Sequence, residues 1–251
     1  NITPDSFSDG GRFDSPEQAY KAAKRMAAQG ADLIDLGAQS TRPGATDVGA
    51  DTELERLLPV LKRLQQARQE ADLPAELLFS IDTFLAPVAR ACLEAGADWI
   101  NDVSGGLADP QMWPTIADYG CPYVLMHRRG DARSMDSLAH YDDVVSEVET
   151  ELLQLCERAL QAGVQPQQLV LDPGIGFAKT TEHNLELLRG LPRLQRLGYP
   201  LLVGPSRKRF IGEVLGESRP QARLWGTAAS VCQAVAAGAA VVRVHDVGPI
   251  V

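Results

Sequence analysis

Residues 27–37 read AAQGADLIDLG, and the same design returns at 93–103 as LEAGADWINDV and at 234–247 as AVAAGAAVVRVHDV. Each stretch is the end of a helix, a Gly suited to the left-handed position that closes it, and a short apolar strand finishing in a polar residue. A helix-to-strand joint used three times in one chain predicts an alternating α/β protein. Helix signals agree. Ser15-Pro16-Glu17-Gln18 supplies an N-cap, a first-turn proline and a capping-box residue, and Leu54, Leu57, Leu58, Leu61 and Leu64 line one face of the next helix.

Collected in order, the strand candidates are ADLIDL, LLFSID, DWIND, PYVLMH, LVLDP, PLLVGPS and VVRVHD, each parted from the next by a helical stretch. Strands this continuously apolar need cover on both faces, which predicts parallel pairing with helices outside. Their polar residues fall at the carboxyl ends: Asp35, Asp82, Asn101, His127, Asp172, Ser206 and His245. In a (β/α)8 TIM barrel that end carries the active site. The expected fold is such a barrel, as a single domain over residues 1–251. Asn1 is then the polar end of an eighth strand, first in order, whose apolar part would lie upstream, and most of the last helix is also expected to be missing. A doubly wound open sheet is the competing arrangement, since it needs no closing strand.

A chain of 251 residues with 45% hydrophobic content can bury a full core. Its 24 Lys and Arg against 33 Asp and Glu leave a net charge of -9, which argues against a nucleic-acid surface. Cys92, Cys121, Cys156 and Cys232 are widely spaced, with no C-x-x-C and no His at metal-ligand spacing, so neither a zinc site nor a disulfide framework is suggested, and a reducing cytoplasm fits. The most apolar window, TAASVCQAVAAGAAVVRV, is interrupted by Gln233 and Arg243 and reads as helix, glycine stop and strand, so no membrane partner is expected.

Several loops carry chemistry. STRPGA (40–45) puts Thr41 and Arg42 on a Gly/Pro-punctuated loop, where an Arg fork suits phosphate or carboxylate. Asp82, Asn101 and Asp172 converging on one pocket suit a ring rich in donors and acceptors, with helix capping the ordinary alternative for any one of them. DPGIGFAKTT (172–181) fails the dinucleotide fingerprint at Lys179 and the P-loop at Pro173 and Ala178. What remains is a tight turn presenting Phe177 to a flat substrate or to its own packing. GPSRKRFIG (204–212) gathers Arg207, Lys208 and Arg209 at a helix start, the expected basic focus of an acidic chain. Position 208 is not the Gly of a nucleophile elbow, so Ser206 is not expected to be a nucleophile. Arg243 and His245 share a strand face and can point at one site, although a core histidine is the plainer reading of His245.

NITPDSFSDGG, STRPGA, SIDTF, INDVSGG, LMH, DPGIGFAK, GPSRKRFIG and RVHDV together resemble the dihydropteroate synthases in order and along nearly the whole chain. The resemblance implies a folate-pathway transferase that joins p-aminobenzoate to the methylene carbon of a dihydropterin diphosphate with the help of Mg2+. By motif, Asp82, Asn101, Asp172 and Lys208 look like the pterin ligands. Asn1 looks like the Mg2+ ligand and, with Arg42, Arg243 and His245, the diphosphate grip. Phe7, Thr41, Pro43, Phe177, Ser206 and Lys208 resemble the p-aminobenzoate surroundings. Asp9 and Arg42 complete a catalytic set with Lys208, Asp82 and Asp172, on loops that close over the reacting centre. A homodimer is the implied assembly. The sequence departs from the family pattern at Gln39, where many relatives have Glu, at Arg209, where some have Ser, and at GPIV, which does not continue like the family's final helix. The competing functions are a pterin-binding methyl-transfer module and a non-catalytic fragment.

Overall fold

In a computed structural model of the chain, which describes residues 1–2, 16–40, 44 and 47–251, the strands β1 (Leu33–Gly37), β2 (Leu78–Asp82), β3 (Trp99–Asp102), β4 (Tyr123–Met126) and β5 (Leu169–Asp172) pair in parallel and in chain order. The strands β6 (Leu202–Val203) and β7 (Val241–Val242) continue the series as a parallel pair, joined to β5 by a bridge between Leu171 and Leu201. Between them run α1 (Pro16–Ala28), α2 (Ala50–Gln69), α3 (Ala86–Glu94), α4 (Met112–Tyr119), α5 (Val144–Gln161), α6 (Thr181–Gln195), α7 (Arg209–Leu215) and α8 (Leu224–Ala236). The strand order never reverses, as it must in a doubly wound sheet. The sheet instead curls until its first and last strands meet. Arg243, just past β7, donates to Asp35 of β1 at 2.6 Å, and the Ile2 N–H donates to the Gly37 carbonyl at 2.7 Å, which lays Asn1–Ile2 along β1. The fold is a TIM barrel.

The alternation of side chains along each strand separates two apolar clusters. Phe79, Ile81, Ile100, Tyr123, Leu125, Leu169 and Leu171 face outward and meet the helices, among them the α2 face of Leu57, Leu61 and Leu64. Each such fully buried side chain contributes about 1.5–3 kcal/mol. Facing inward, Val124, Val170 and Leu202 form a smaller cluster, flanked by Trp99 and Val241. Two residues farther along the same rows stand Asn101, Asp172 and Arg243. An apolar barrel interior therefore gives way to a polar mouth at the carboxyl ends of the strands.

The predicted apolar face of α2 is present, and Pro16 opens α1, whereas Ser15 lies outside the described residues. After the last strand VHDVGPIV passes directly into α9 (Val247–Ile250), a single helical turn. Pro249 falls within that first turn, where a missing N–H costs no hydrogen bond. No helix among the described residues is long and apolar enough to cross a membrane.

Candidate active site

Arg243 is the hub of the barrel mouth. Its Nε donates to Asp35 Oδ2 at 2.6 Å and its Nη2 to Asp82 Oδ2 at 3.2 Å, while Asn101 Nδ2 donates to the same Asp35 oxygen at 3.1 Å. Asp82, Asn101 and Asp172 are 7%, 4% and 7% exposed, so the strands bury three strong polar groups around one guanidinium. Burial and the charge of Asp35 push Asp82 up to about 7 despite Arg243. At Asp35 burial acts the same way, but Arg243 and hydrogen bonds from Ser80 and Asn101 outweigh it and hold that carboxyl below its ordinary value. Two neighbouring carboxyls thus differ in proton affinity, which marks a functional site. Burial raises Asp172 as well, opposed by a bond from the Gly174 N–H and by the charges of Lys208, Lys179 and Arg243.

The turn after β5 builds a second wall. Asp172 Oδ1 accepts from the Gly174 N–H at 2.7 Å, and Asn184 Oδ1 accepts from the Gly176 N–H at 2.6 Å. The Lys208 ammonium lies 4.1 Å from the centroid of the Phe177 ring, and its stem crosses Gly176 so closely that a Cβ there would meet Lys208 Cδ at 2.8 Å. Phe177 is therefore a platform for Lys208. Half-buried among protein atoms, Lys208 is pushed down to about 8 by burial and by Arg243, against the pull of Asp172 and Asp82.

The expected basic focus at 207–209 is divided. Arg207 donates from Nε and Nη2 to Asp246 at 2.9 and 2.6 Å, and Arg209 points to solvent beside Asp136 and Glu213. Lys208 alone turns into the mouth, because the chain passes through a left-handed residue at Arg207 (φ 58°) and consecutive side chains diverge. Ser206 Oγ accepts from the His245 N–H at 3.1 Å and lies 2.8 Å from His245 Nδ1. Burial, with the charges of Arg243 and Arg207, holds that imidazole below its ordinary pKa. A hydroxyl donating to Nδ1 leaves the ring proton on Nε2, free to meet an anion.

Asp102, adjacent to Asn101, faces the opposite way and accepts from the Ser104 and Gly106 N–H groups and the Tyr123 hydroxyl at 2.6, 2.9 and 2.7 Å, a structural role. His127 is also turned away from the mouth and is fully buried. Of the expected loop residues, Phe7, Asp9, Thr41, Arg42 and Pro43 lie outside the described residues. Asn1 stands at the rim, where a Cβ on Gly37 would come 3.4 Å from Asn1 Oδ1 and 3.6 Å from Asp82 Oδ2. Asp35 and Lys179 also stand at the site without being among the expected site residues. Asp35 carries a sequence signal, being in the strand-end row, whereas Lys179 appears in the sequence only as the residue that spoils a glycine motif.

A parallel barrel whose mouth joins carboxylates, a carboxamide and cations in this order defines a class. Residues 1–245 match the family described as pterin binding enzyme. The chain is 51% identical over 247 residues to the dihydropteroate synthase of Synechocystis, covering 98% of this chain and 83% of that protein. It is 48% identical over 254 residues to that of Mycobacterium leprae, covering 98% and 86%. The Xanthomonas albilineans dihydropteroate synthase solved with 4-aminobenzoic acid has a TM-score of 0.89 at 45% identity, covering all of this chain and 86% of that one. The chain belongs to the pterin-binding enzyme family. Its activity is that of a dihydropteroate synthase, a transferase of folate synthesis.

Proposed function

We propose that the mouth described above holds both substrates of this reaction, in which the amine of p-aminobenzoate takes the methylene carbon of 7,8-dihydropterin-6-ylmethyl diphosphate and diphosphate departs. The observation that carries the assignment is the convergence of Asp82, Asn101, Asp172 and Lys208 about Arg243. Asp82, Asn101 and Asp172 pair with the ring's N–H groups and acceptors, since buried polar groups need partners. Lys208 reaches the same ring from its Phe177 platform, which with Ser206, Phe7, Thr41 and Pro43 borders the p-aminobenzoate position. Among the described residues, Nε and Nη2 of Arg243 are taken by carboxylates, and the rest of the guanidinium, with His245 Nε2, Arg42 and Asn1, receives the diphosphate.

Departure of diphosphate leaves an electron-poor methylene conjugated to the pterin. The cations at the rim steady the leaving charge, and the carboxylates of Asp82 and Asp172, with Asp9 of the first loop, steady the cation. The aromatic amine is already nucleophilic, so no side chain needs to attack. Exclusion of water from the centre keeps it from competing with the amine.

Mg2+ suits this rim. Among the described residues no three His, Cys, Asp or Glu side chains cluster at ligand spacing, but Mg2+ commonly takes one or two protein oxygens and otherwise substrate phosphate and water. Asn1 Oδ1 and Asp82 Oδ2, both beside Gly37, supply such oxygens. Bound there by Asn1, the ion would neutralise charge on the diphosphate.

Residues 1–251 act in this reading as one domain in the cytoplasm, and the chain pairs with a second copy through α7 and α8. Val214, Leu215 and Trp225 are 58%, 52% and 77% exposed there, an apolar area that a lone protein would leave in water. The test is p-aminobenzoate-dependent release of diphosphate from the pterin substrate in the presence of Mg2+. Lys208→Ala is expected to lose ~2–4 kcal/mol of transition-state stabilisation, the range for one preorganised group; full turnover by that variant would refute the assignment.

A further inference from the structure

The mechanism leaves unused a buried lysine behind the site. Lys179 is 3% exposed. Its Nζ donates to the Phe177 carbonyl at 3.0 Å and lies 3.0 Å from His127 Nδ1, and His127 Nε2 in turn lies 2.8 Å from Glu151 Oε2 on α5. Glu151 is also gripped by the Arg129 guanidinium. The proton arrangement follows. Burial and the charge of Lys179 push His127 down to about 4, so the imidazole is neutral; it donates from Nε2 to the carboxylate and accepts at Nδ1 from the Lys179 amine, which burial lowers to about 7 and which can donate in either protonation state.

The chain of contacts ends at a strained place. Ala178, between Phe177 and Lys179, has φ 48°, a left-handed conformation that a residue with a Cβ seldom adopts. Such a turn persists only when its surroundings over-determine it. Here they do: Lys179 ties the Phe177 carbonyl to β4 through His127, and at Gly174 a Cβ would fall 1.9 Å from the His127 carbonyl oxygen and 3.3 Å from Lys179 Nζ. On the other side of the same turn the Phe177 ring and Gly176 seat Lys208.

We propose that Lys179 is a positioning residue that, held by His127 and Glu151, fixes the Gly176–Phe177 shelf on which Lys208 rests and so sets the p-aminobenzoate half of the site. It touches no substrate. Its effect falls mainly on the wall that Phe177 and Lys208 form, because among the described residues its side-chain bonds run to the Phe177 carbonyl and to His127, while its charge reaches Asp172 only through space. The inference rests on the p-aminobenzoate placement proposed above.

Saturation curves for each substrate, at a fixed saturating level of the other, test it in Lys179→Met and in Glu151→Gln. The second variant changes a residue on α5, outside the strands, and keeps a neutral partner for His127. Both are expected to raise the KM for p-aminobenzoate, about tenfold in Lys179→Met and less in Glu151→Gln, and to raise the KM for the pterin diphosphate by a clearly smaller factor, since the pterin keeps Asp82 and Asn101 in place while sharing Lys208 with the displaced wall. A merely structural role would weaken both substrates alike. An unchanged p-aminobenzoate KM in a folded Lys179→Met, or equal rises in both constants, overturns the inference. Should Lys179→Met fail to fold, Glu151→Gln decides by the same criterion. Full turnover by Lys208→Ala is the separate result that would remove the placement itself.

Discussion

Arg243 Nε donates to Asp35 Oδ2 at 2.6 Å, and these two residues, 208 positions apart, close the barrel at the mouth where the chemistry takes place. One guanidinium thus serves architecture and site together. Its charge is shared with Asp82 at 3.2 Å, so the ionisation of the two carboxyls is coupled through a single arginine.

Asp35→Asn tests that coupling. The amide keeps an oxygen for Arg243 but removes the negative charge that, after burial, is the main reason Asp82 is raised to about 7. The acid limb of kcat/KM is expected to move to lower pH. The stability loss in urea should be only about 1–2 kcal/mol, below the 3–5 kcal/mol of a fully buried broken pair, because Arg243 is partly solvated. An acid limb that stays in place or moves to higher pH would show that Asp35 does not set Asp82.

The wild-type profile itself should be bell-shaped in kcat/KM for the pterin diphosphate, which reports groups of the free enzyme. Asp82 at about 7 supplies the acid limb, shared with its coupled neighbours. Lys208 at about 8 supplies the basic limb, since it binds as an ammonium. Lys208→Arg should carry less activity and lose the basic limb, because a guanidinium stays charged throughout that range. Retention of the same basic limb would assign it to another group.

The barrel is legible in the sequence because three helix–Gly–strand joints repeat and because strand ends carry Asp35, Asp82, Asn101 and Asp172, a periodic signal. Which neighbour faces the site was also a matter of parity: Asn101 faces in, and Asp102 turns to Ser104, Gly106 and Tyr123. The division of Arg207, Lys208 and Arg209 was not legible, since it depends on a left-handed residue and on Asp246, 39 positions away from Arg207. Lys179 was hidden for a related reason. Its partner His127 follows β4, and that ring's partner Glu151 comes from α5, so only packing brings the lysine beneath the turn that its own sequence motif forms.

Gly176→Ala should injure catalysis more than its size suggests. Gly176 has φ 80°, and an added Cβ would lie 2.8 Å from Lys208 Cδ. A left-handed alanine costs roughly 1–2 kcal/mol, and the lysine stem must shift as well. A displacement of about 1 Å at a positioned group can cost about 100-fold in rate. The expected outcome is a kcat/KM lowered by one to two orders of magnitude in a protein that still melts cooperatively. Wild-type kinetics in this variant would mean that Lys208 does not need its shelf.

His127 gives the stability of the protein a pH dependence whose sign can be worked out. The ring is fully buried and is pushed down to about 4, first by burial and then by Lys179, whereas in the unfolded chain a histidine titrates near ~6.5. Between those values the unfolded state takes up a proton that the folded state refuses, so this contribution is intact above about 6.5 and is lost as pH falls toward 4. At about 1.4 kcal/mol for each unit of difference, the loss approaches roughly 3 kcal/mol. Asp82 and Glu53, both raised to about 7, act in the opposite sense over the same range, because the folded state holds protons that the unfolded chain has released. The whole-protein curve therefore mixes signs, and the informative quantity is the difference between wild type and His127→Gln. In urea unfolding at pH 7 and again near pH 4.5, the wild-type advantage over that variant should shrink by about 2–3 kcal/mol, the linkage for a single buried imidazole. A gap that stays constant between the two pH values would mean that His127 is not held neutral between Lys179 and Glu151.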